Sequence, residues 1–395
     1  MVPSNVKTVN ELPSTADVVI IGGGIAGAAD AFFLARHGLA PVILERRDHL
    51  AGLTTSQAVS CFRAQWSTAE HAALVHPSIE FYLRFERETG LPGWSIGLRQ
   101  QGWLFLTASE TGPTEMQSFV ADQRNLGVTD SEYLGDSDLH RRFPWIGPAA
   151  TAGSYRALDG WLSPYEATHG LIRGSGAVVH LGVTAGSVLT SHGRVVGVET
   201  NIGRISTDRV VISAGPFSRT LAATAGIDLP VRLLRRHRAH IVDSAIPHDA
   251  PMVVDVDTHV YWRPEGEGAF LGQPQPETDA PPIEAVPTDW TFPAVAMQEA
   301  GRLGPFWLDV ARRLTRDRVS LGAGQYTCTM DGLPLLGSSP IAGLYFHTAD
   351  NGWGIESAPE AARIVAEVIV GRLREHPYAL DRPTIEMAPL RAATY

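Results

Sequence analysis

Lysine is almost absent from this sequence of 395 residues: of its 32 lysine and arginine residues, Lys7 alone is a lysine. Schiff-base catalysis, a P-loop and a pyridoxal-phosphate anchor all require a lysine side chain inside the fold. Lys7 lies in a polar stretch near the start of the sequence, where it is a poor candidate for any of these roles. The scarcity of lysine therefore argues against three classes of function.

Cysteine is also scarce, with only Cys61 and Cys328, far apart and outside any CxxC pattern. The 14 histidines do not combine with them in the spacing of a zinc site. A chain of this length can build its core without a disulfide. We therefore expect two reduced thiols, a cytoplasmic location and no bound metal.

A net positive charge and long apolar runs are missing as well. The formal net charge is −10, which disfavours binding to nucleic acid or to an anionic membrane. Residues 1–16 hold no continuous apolar segment, and the most apolar stretch, 18–35, is interrupted by glycines and Asp30. We expect a protein of two or three domains that binds neither nucleic acid nor membrane, with its oligomeric state open.

A strand, a glycine-rich turn, a helix and a second strand follow one another within 30 residues. Asp17-Val-Val-Ile-Ile21 is an apolar β-branched run, and Gly22-Gly-Gly-Ile-Ala-Gly27 follows it at once. The stretch 28–37 is rich in Ala, Phe and Leu, and Pro41-Val-Ile-Leu-Glu45 is a second short apolar run. This order predicts a βαβ unit.

The glycine turn of this unit matches the dinucleotide fingerprint GxGxxG. Gly22 permits the tight turn, Gly24 lets the backbone approach a pyrophosphate, and Gly27 lets the helix lie close to the sheet. Glu45, eighteen residues after Gly27, is placed to accept hydrogen bonds from ribose hydroxyls and would repel a 2′-phosphate. The motif predicts nucleotide binding without separating FAD from NAD.

Two later segments separate these cofactors. Features of a nucleotide-binding fold recur at 210–215 and at 352–373, whereas a simple NAD dehydrogenase keeps that fold contiguous. The helix start at Asn351-Gly-Trp-Gly-Ile355 would direct backbone N–H groups at an electron-rich centre such as the carbonyl edge of a reduced flavin. We therefore expect FAD in a domain that another domain interrupts.

The set of motifs resembles the D-amino-acid-oxidase superfamily of FAD-dependent amine oxidoreductases, in its glycine oxidase and sarcosine oxidase branch. The resemblance covers about residues 15–375 and rests on five further motifs besides the βαβ unit: Thr54-Thr-Ser56 with Phe62-Arg63, Val210-Val-Ile-Ser-Ala-Gly215, Tyr261-Trp-Arg-Pro264, Tyr326-Thr-Cys-Thr-Met-Asp331 and Asn351-Gly-Trp-Gly-Ile355. It implies an α/β fold, with a Rossmann-type FAD-binding domain (15–90, 160–225 and 325–380) and an interleaved mixed-sheet α+β substrate domain (91–159 and 226–324).

The resemblance also implies which residues contact FAD. They are Gly22, Gly24, Ile25, Ala26 and Gly27 at the pyrophosphate, Glu45 at the ribose, Arg46 and Ala185 at the adenosine, Thr54, Thr55 and Ser56 near the pyrophosphate and flavin, Ala214 and Gly215 along the dinucleotide, and Gly352, Trp353, Gly354 and Ile355 at the flavin ring. Gly324 stands where sarcosine oxidases carry the cysteine that links the flavin, so we expect dissociable FAD.

Four residues are candidates for the substrate side. Arg63 and Tyr326 match positions that bind the substrate carboxylate in sarcosine oxidases, although a salt-bridge arginine and an ordinary half-buried tyrosine are the alternatives. Tyr261 lines the cavity or belongs to the core. Glu356 either interacts with the dipole at a helix start or meets a cationic part of the substrate.

A cluster of basic residues, Arg232, Arg235, Arg236 and Arg238 with His237, lies on a predicted strand. A solvated face is the expected interpretation of such a run, with an anion site as the alternative.

The expected reaction is oxidation of a C–N bond of an N-substituted glycine or related amino acid to an imine. The imine hydrolyses to a carbonyl and an amine, and O₂ reoxidises the flavin to give H₂O₂. Phe270 and Glu356 stand where the family has lysines, and the first of these lysines assists the reduction of oxygen. A dehydrogenase with another electron acceptor, and a catalytically idle flavin-binding assembly protein, are therefore alternatives.

Overall fold

The structure is a computed structural model that describes residues 7–8, 11–275 and 279–382. In this part of the chain the strands are β1 (Lys7–Thr8), β2 (Val18–Ile21), β3 (Pro41–Glu45), β4 (Cys61–Phe62), β5 (Trp103–Thr107), β6 (Glu132–Gly135), β7 (Ala152–Arg156), β8 (Gly160–Trp161), β9 (Val178–Leu181), β10 (Ala185–Ser191), β11 (Arg194–Thr200), β12 (Gly203–Ile205), β13 (Val210–Ile212), β14 (Arg232–Val242), β15 (Met252–Asp255), β16 (Tyr261–Glu265), β17 (Gly268–Gly272), β18 (Val319–Cys328), β19 (Leu335–Ser338) and β20 (Leu344–Thr348).

The helices in the same residues are α1 (Ile25–Arg36), α2 (Thr54–Gln57), α3 (Ala69–Leu83), α4 (Phe85–Thr89), α5 (Gly112–Asn125), α6 (Asp136–Arg142), α7 (Pro164–Ser175), α8 (Ser218–Thr224), α9 (Phe292–Ala300), α10 (Phe306–Arg313) and α11 (Gly354–Ile369). Helix α1 begins inside the glycine motif, three residues before the start that the sequence predicts. Thr68 caps α3 by accepting a hydrogen bond from the backbone N–H of His71.

The first sheet has the strand order β1-β9-β3-β2-β13-β20-β19 and is parallel except for β19. Strands β2 and β13 are buried along their whole length, which explains their unbroken Val and Ile runs. Helices α1, α3, α7 and α11 share one hydrophobic core with one face of this sheet. The antiparallel sheet β10-β11-β12 shares a core with the other face.

The second sheet has the strand order β18-β14-β17-β16-β15-β5-β7-β6 and is mixed, because β15 and β5 run parallel while the other neighbours are antiparallel. Helices α6, α9 and α10 share a core with one face of it. Strand β18 runs across the domain boundary that the sequence places between 324 and 325. Strands of the first sheet therefore alternate along the chain with strands of the second sheet.

Three further properties concern the described residues. None of their helices has the length and apolar character needed to cross a lipid bilayer. None of their His, Cys, Asp and Glu side chains form a group of three or more that could hold a metal ion. Cys61 and Cys328 are free thiols.

Candidate functional site

A cavity of about 340 Å³ lies at the carboxyl ends of β2, β3, β13 and β20, where parallel sheets of this kind bind ligands. Most of the cofactor residues predicted from the sequence line this cavity: Gly22, Gly24, Ile25, Ala26, Glu45, Arg46, Thr54, Thr55, Ala185, Ala214, Gly215, Gly352, Gly354 and Ile355. The structure therefore brings together segments that are more than 300 residues apart in the sequence.

Three of the predicted cofactor residues do not line the cavity. A side chain at Gly27 would place Cβ 2.0 Å from the carbonyl oxygen of Gly22, so this glycine lets α1 approach β2 closely. Ser56 donates its hydroxyl to the carbonyl of Leu53 (2.7 Å). Trp353 is 4% exposed, and its ring packs against Trp66.

The glycine turn forms a cradle of backbone atoms at one end of the cavity. Gly22 has a φ of +123°, and a Cβ on it would lie 2.3 Å from the carbonyl oxygen of Ser213. Gly24 is the N-cap of α1 and offers no side chain to the first turn, whose Ile25 N–H donates to Thr55 Oγ1 (3.2 Å). Backbone N–H groups at an open helix start suit a pyrophosphate, so the residues present fit a dinucleotide.

Glu45 is held rigidly in the wall of the cavity. Its Oε2 accepts a hydrogen bond from the backbone N–H of Gly23 (2.8 Å), and its Oε1 accepts one from the backbone N–H of Arg47 (2.9 Å). Each carboxylate oxygen can accept further hydrogen bonds, so the side chain retains the capacity to bind hydroxyl groups.

Arg47, Phe217 and Glu284 also belong to this end of the site, although none of them is among the cofactor residues predicted from the sequence. Arg47 and Phe217 line the cavity, and the guanidinium of Arg46 stacks 3.4 Å from the centroid of the Phe217 ring. Glu284 pairs with Arg46 (2.6 Å) and with Arg47 (2.9 Å). The Arg46-Arg47 doublet was a usable signal, whereas nothing marks Glu284 within its proline-dense segment.

Removing this double ion pair should loosen the adenosine end of the cofactor site. Because Glu284 is about half exposed, solvent screens the pairs, and we expect Glu284→Ala to weaken FAD binding only about two- to fivefold. Titration of the apoprotein with FAD, followed by quenching of flavin fluorescence, measures the dissociation constant. The difference should shrink between low and high salt. Glu267→Ala, which removes an exposed carboxylate on the β16–β17 turn, should leave the constant unchanged, and an equal effect of both variants would contradict a local role.

A chain of buried polar groups reaches the cavity, which Ser213, His347 and Asp350 line, and the sequence did not predict it. Asp30 accepts hydrogen bonds from the Ser213 hydroxyl (2.5 Å) and from Nδ1 of His347 (2.7 Å), and His347 Nε2 lies 3.7 Å from Asp350. Burial lowers the pKa of His347, but the neighbouring Asp30 outweighs it and raises that pKa above its ordinary value. No sequence motif connects residues so far apart.

The hydroxyls of Tyr326 and Tyr261 lie near each other beside the cavity, close enough for each to affect the pKa of the other. Tyr326 lines the cavity, and its ring lies so close to Gly352 that a Cβ there would be 2.2 Å from the ring carbon Cε2. Tyr261 is 5% exposed and comes from β16 of the second sheet. Burial raises the pKa of both hydroxyls, so both remain protonated at neutral pH.

Arg63 and Glu356 do not line the cavity and are both almost completely buried. The guanidinium of Arg63 lies 3.9 Å from the centroid of the Trp66 ring. The backbone N–H of Arg63 donates to Glu356 Oε2 (2.8 Å). Burial raises the pKa of Glu356 to about 8, although the charge of Arg63 acts in the opposite direction. Glu356 thus connects the segment after β4 to the first turn of α11.

The expectation of a solvated face for the arginine-rich strand is wrong for two of its members. His237 is 2% exposed and stacks on Phe292 with ring centroids 5.0 Å apart. Arg238 donates Nη1 to the carbonyls of Ser56 (3.1 Å) and Ala58 (2.8 Å). Strand β14 lies between β17 and β18 in the second sheet, so one of its faces packs on α9 and the other faces α2.

A Rossmann-like parallel sheet with a dinucleotide cradle, joined to a mixed sheet that brings tyrosines to the cavity, defines a flavin-dependent oxidoreductase. Residues 17–368 match the protein family described as "FAD dependent oxidoreductase", and the chain belongs to this family. FAD is its cofactor. The predicted family, enzyme class and cofactor are confirmed.

Two curated relatives and one solved structure show the range of similar proteins. The chain is 28% identical over 288 residues to 4-methylaminobutanoate oxidase (formaldehyde-forming) of Paenarthrobacter nicotinovorans. This match covers 70% of this chain and 34% of the relative. It is 31% identical over 274 residues to human mitochondrial sarcosine dehydrogenase. This match covers 66% of this chain and 29% of the relative. The chain thus spans about a third of the length of these relatives.

The solved structure is that of glycine oxidase from Geobacillus kaustophilus. It is 21% identical, with a TM-score of 0.81, and the match covers 94% of this chain and all of the other. This similarity confirms the predicted α/β fold class with its mixed sheet.

Proposed function

We propose that this protein oxidises a C–N bond of an N-substituted glycine or a related amino acid to an imine, which hydrolyses to a carbonyl compound and an amine. The observation that carries the proposal is that Tyr326, which lines the cavity and packs its ring against Gly352, lies beside the buried hydroxyl of Tyr261. The names of the two curated relatives, a methylaminobutanoate oxidase and a sarcosine dehydrogenase, support a methylated amino acid as substrate.

In this proposal the chain binds and orients, and the bound FAD supplies the hydride acceptor. The first turn of α1 and the Gly22–Gly24 turn would bind the pyrophosphate, and Glu45 would accept hydrogen bonds from the ribose hydroxyls. The first turn of α11, from Gly354, would offer its N–H groups to the flavin ring, and Tyr326 would donate a hydrogen bond from its hydroxyl to the substrate. The resemblance assigns Arg63 to the substrate carboxylate. In this proposal it is a positioning residue, because it does not line the cavity and its guanidinium packs against the Trp66 ring.

A raised tyrosine pKa has a consequence for the pH dependence. Tyr326 and Tyr261 stay protonated, so neither takes a proton from an ammonium group at neutral pH. The substrate must therefore arrive as the neutral amine, and kcat/KM should rise with pH up to the pKa of the free substrate.

We propose O₂ as the electron acceptor, reduced to H₂O₂. The position at which the family has an oxygen-activating lysine is occupied by Phe270, whose ring centroid lies 4.3 Å from the guanidinium of Arg238 and 4.9 Å from that of Arg263. Two cations therefore flank this position although the lysine is missing. A dehydrogenase with another acceptor is the second candidate, and the name of the sarcosine dehydrogenase relative favours it.

Reduction of the bound flavin without oxygen tests the activity directly. A panel of N-methyl and N-alkyl amino acids is mixed anaerobically with the holoprotein, and absorbance near 450 nm is followed. We expect bleaching by at least one of these compounds and none by simple alcohols or hydroxy acids. A spectrum that no amine changes would contradict the proposal and favour the idle flavin-binding protein. Admission of air to the reduced protein, with a peroxide assay, then separates an oxidase from a dehydrogenase.

A further inference from the structure

Asp30, His347 and Asp350 form a row of side chains that ends at the cofactor cavity. Asp30 of α1 is completely buried, and its carboxylate accepts hydrogen bonds from the Ser213 hydroxyl and from Nδ1 of His347. His347 of β20 is 1% exposed, and its Nε2 lies 3.7 Å from Oδ1 of Asp350. Asp350 ends the row in the wall of the cavity, where 25% of its side chain is exposed.

This row keeps hydrogen-bonding capacity at its outer end. Among residues 7–8, 11–275 and 279–382, Nε2 of His347 and Oδ1 of Asp350 have no hydrogen-bond partner, and no donor hydrogen-bonds to Oδ2 of Asp350. The negative charge of Asp30 favours the imidazolium form of His347, in which Nε2 also carries a hydrogen. His347 thus presents positive charge to Asp350 from behind, and the carboxylate remains able to accept a hydrogen bond from the cavity.

The backbone around Asp350 fixes the position of this carboxylate. Ala349 and Asn351 have left-handed φ values of +63° and +52°, which are uncommon for residues other than glycine and cluster at functional sites. Asn351 stabilises the turn, because its side-chain amide donates to the carbonyl of Ala349 and its Oδ1 accepts from the backbone N–H of Thr329 (2.9 Å). A Cβ on Gly354 would lie 2.8 Å from the Cβ of Asp350, so the glycine that begins α11 leaves the space that this side chain occupies.

The strand order of the first sheet determines where Asp350 lies along the cavity. Strands β3, β2, β13 and β20 are neighbours in that order, and Glu45, the glycine turn, Ala214 and Asp350 lie at or just after their carboxyl ends. The resemblance assigns Glu45 to the ribose, the glycine turn to the pyrophosphate, and Gly352 and Gly354 to the flavin ring. Asp350 therefore follows the pyrophosphate residues along this edge and directly precedes the ring residues. In FAD the group between pyrophosphate and ring is the ribityl chain, which carries hydroxyl groups.

The charges of the row determine which kind of group it can bind. Burial raises the pKa of Asp350, and the charge of His347 opposes this rise. When all three side chains are ionised, two carboxylates and one imidazolium leave one negative charge uncompensated, which repels a phosphate and favours a hydrogen-bond donor. A cationic amine is one class of donor, but the reaction proposed above takes the amine in its neutral form. A hydroxyl group is the donor that remains.

We propose that the carboxylate of Asp350 binds a hydroxyl group of the ribityl chain of FAD, and that His347 is the positioning residue behind it. This inference rests on FAD as the cofactor and is independent of the substrate proposed above. It adds a contact that the sequence did not predict, because the predicted set of cofactor residues passes directly from Gly215 to Gly352.

A comparison of FAD with ADP tests this contact, because ADP has the adenosine and pyrophosphate of FAD without the ribityl chain. Isothermal titration calorimetry of the full-length apoprotein measures both dissociation constants. We expect Asp350→Ala to raise the constant for FAD about 10-fold, as the loss of a hydrogen bond to a charged group implies, and to leave that for ADP unchanged. Asp350→Asn keeps a carbonyl acceptor and should recover part of the affinity. Glu45→Gln, on the ribose side, should weaken the binding of both ligands.

FAD analogues that each lack one ribityl hydroxyl identify the group that is bound. In the wild type, one analogue should bind about 10-fold more weakly than FAD. In Asp350→Ala the same analogue should bind as FAD does, because the partner of the missing hydroxyl has already been removed. His347→Gln removes the positive charge behind the carboxylate, and the penalty for this analogue should fall to about threefold. A merely structural role of His347 would leave this penalty unchanged.

Asp208→Ala is the matched control. Asp208 lies at the opposite, amino end of β13 in the same sheet, and 70% of its side chain is exposed beside its ion-pair partner Arg209 (3.1 Å). This variant should bind FAD, ADP and every analogue as the wild type does. Circular dichroism shows whether each apoprotein is folded, and Asp350→Asn replaces Asp350→Ala in the analogue series if the alanine variant does not fold.

Three results would overturn the proposal. The first is an analogue series with the same penalties in the wild type and in the Asp350 variants. The second is an equal loss of FAD and ADP affinity in a folded Asp350→Ala protein, which would indicate a general effect on the site. The third is an unchanged FAD affinity together with a raised KM for a cationic amine, which would assign the carboxylate to the substrate.

Discussion

Gly27→Ala should severely weaken FAD binding. The added Cβ would lie 2.0 Å from the carbonyl oxygen of Gly22, and that oxygen belongs to the backbone of the cradle and cannot rotate away. Helix α1 must therefore move from β2, which misplaces the N–H groups at its first turn. Overpacking of this kind costs about 1–3 kcal/mol, so FAD affinity should fall by up to about 100-fold. Fluorescence titration of the apoprotein with FAD measures the loss.

Gly135→Ala provides the control for a glycine-to-alanine change. A Cβ on Gly135 would lie 3.7 Å from Tyr133, which is ordinary van der Waals contact, and FAD affinity should remain that of the wild type. Circular dichroism of both apoproteins shows whether each variant is folded. A folded Gly27→Ala protein with wild-type affinity would show that the close approach of α1 is not needed for the cofactor.

Glu356→Gln should remove a steep dependence of stability on pH. Burial raises the pKa of Glu356 from 4.5 to about 8 in the folded protein. Between these values the folded state holds one proton more than the unfolded state, so the free energy of unfolding falls by about 1.4 kcal/mol per pH unit as pH rises. The contribution is complete below the unfolded pKa and is lost as pH rises through the folded pKa. Glutamine can still accept the hydrogen bond from Arg63, and it cannot ionise.

Urea unfolding of the holoproteins at pH 5.5, 7 and 8.5 measures this slope. The wild type should lose stability across the series, and Glu356→Gln should lose much less. Glu367→Gln, on the same helix but ion-paired with Arg363 (2.6 Å) and partly exposed, should keep the wild-type slope. Parallel slopes for the wild type and Glu356→Gln would show that Glu356 is ionised in the folded protein.

The cofactor half of the site could be predicted from the sequence because its signals are local. A buried strand, a glycine turn and a helix follow one another directly, and the geometry of that turn needs glycine at Gly22, whose φ is +123°. Chain order then places Glu45 at the end of the next strand. Glu284 could not be predicted at this end, because it lies in a loop that comes from another part of the chain.

The substrate half could be predicted only in part, because the direction of a side chain depends on register and on what covers the strand. The sequence shows that Arg236 and Arg238 alternate with His237, but not that this strand lies inside a sheet with both faces covered. For Arg63, neighbouring aromatic residues such as Trp103 come from a distant strand, so the sequence around it does not reveal that it is buried.

The interleaved strand order of the first sheet also bears on how the protein is synthesised. Strand β13 pairs with β2 on one side and with β20 on the other, although these partners stand near opposite ends of the chain. A nascent polypeptide leaving the ribosome cannot complete this sheet until about residue 348 has emerged. Such a high contact order slows folding and leaves the edges of β2 and β13 exposed meanwhile. We expect slow refolding, with FAD binding only once the last strand has docked.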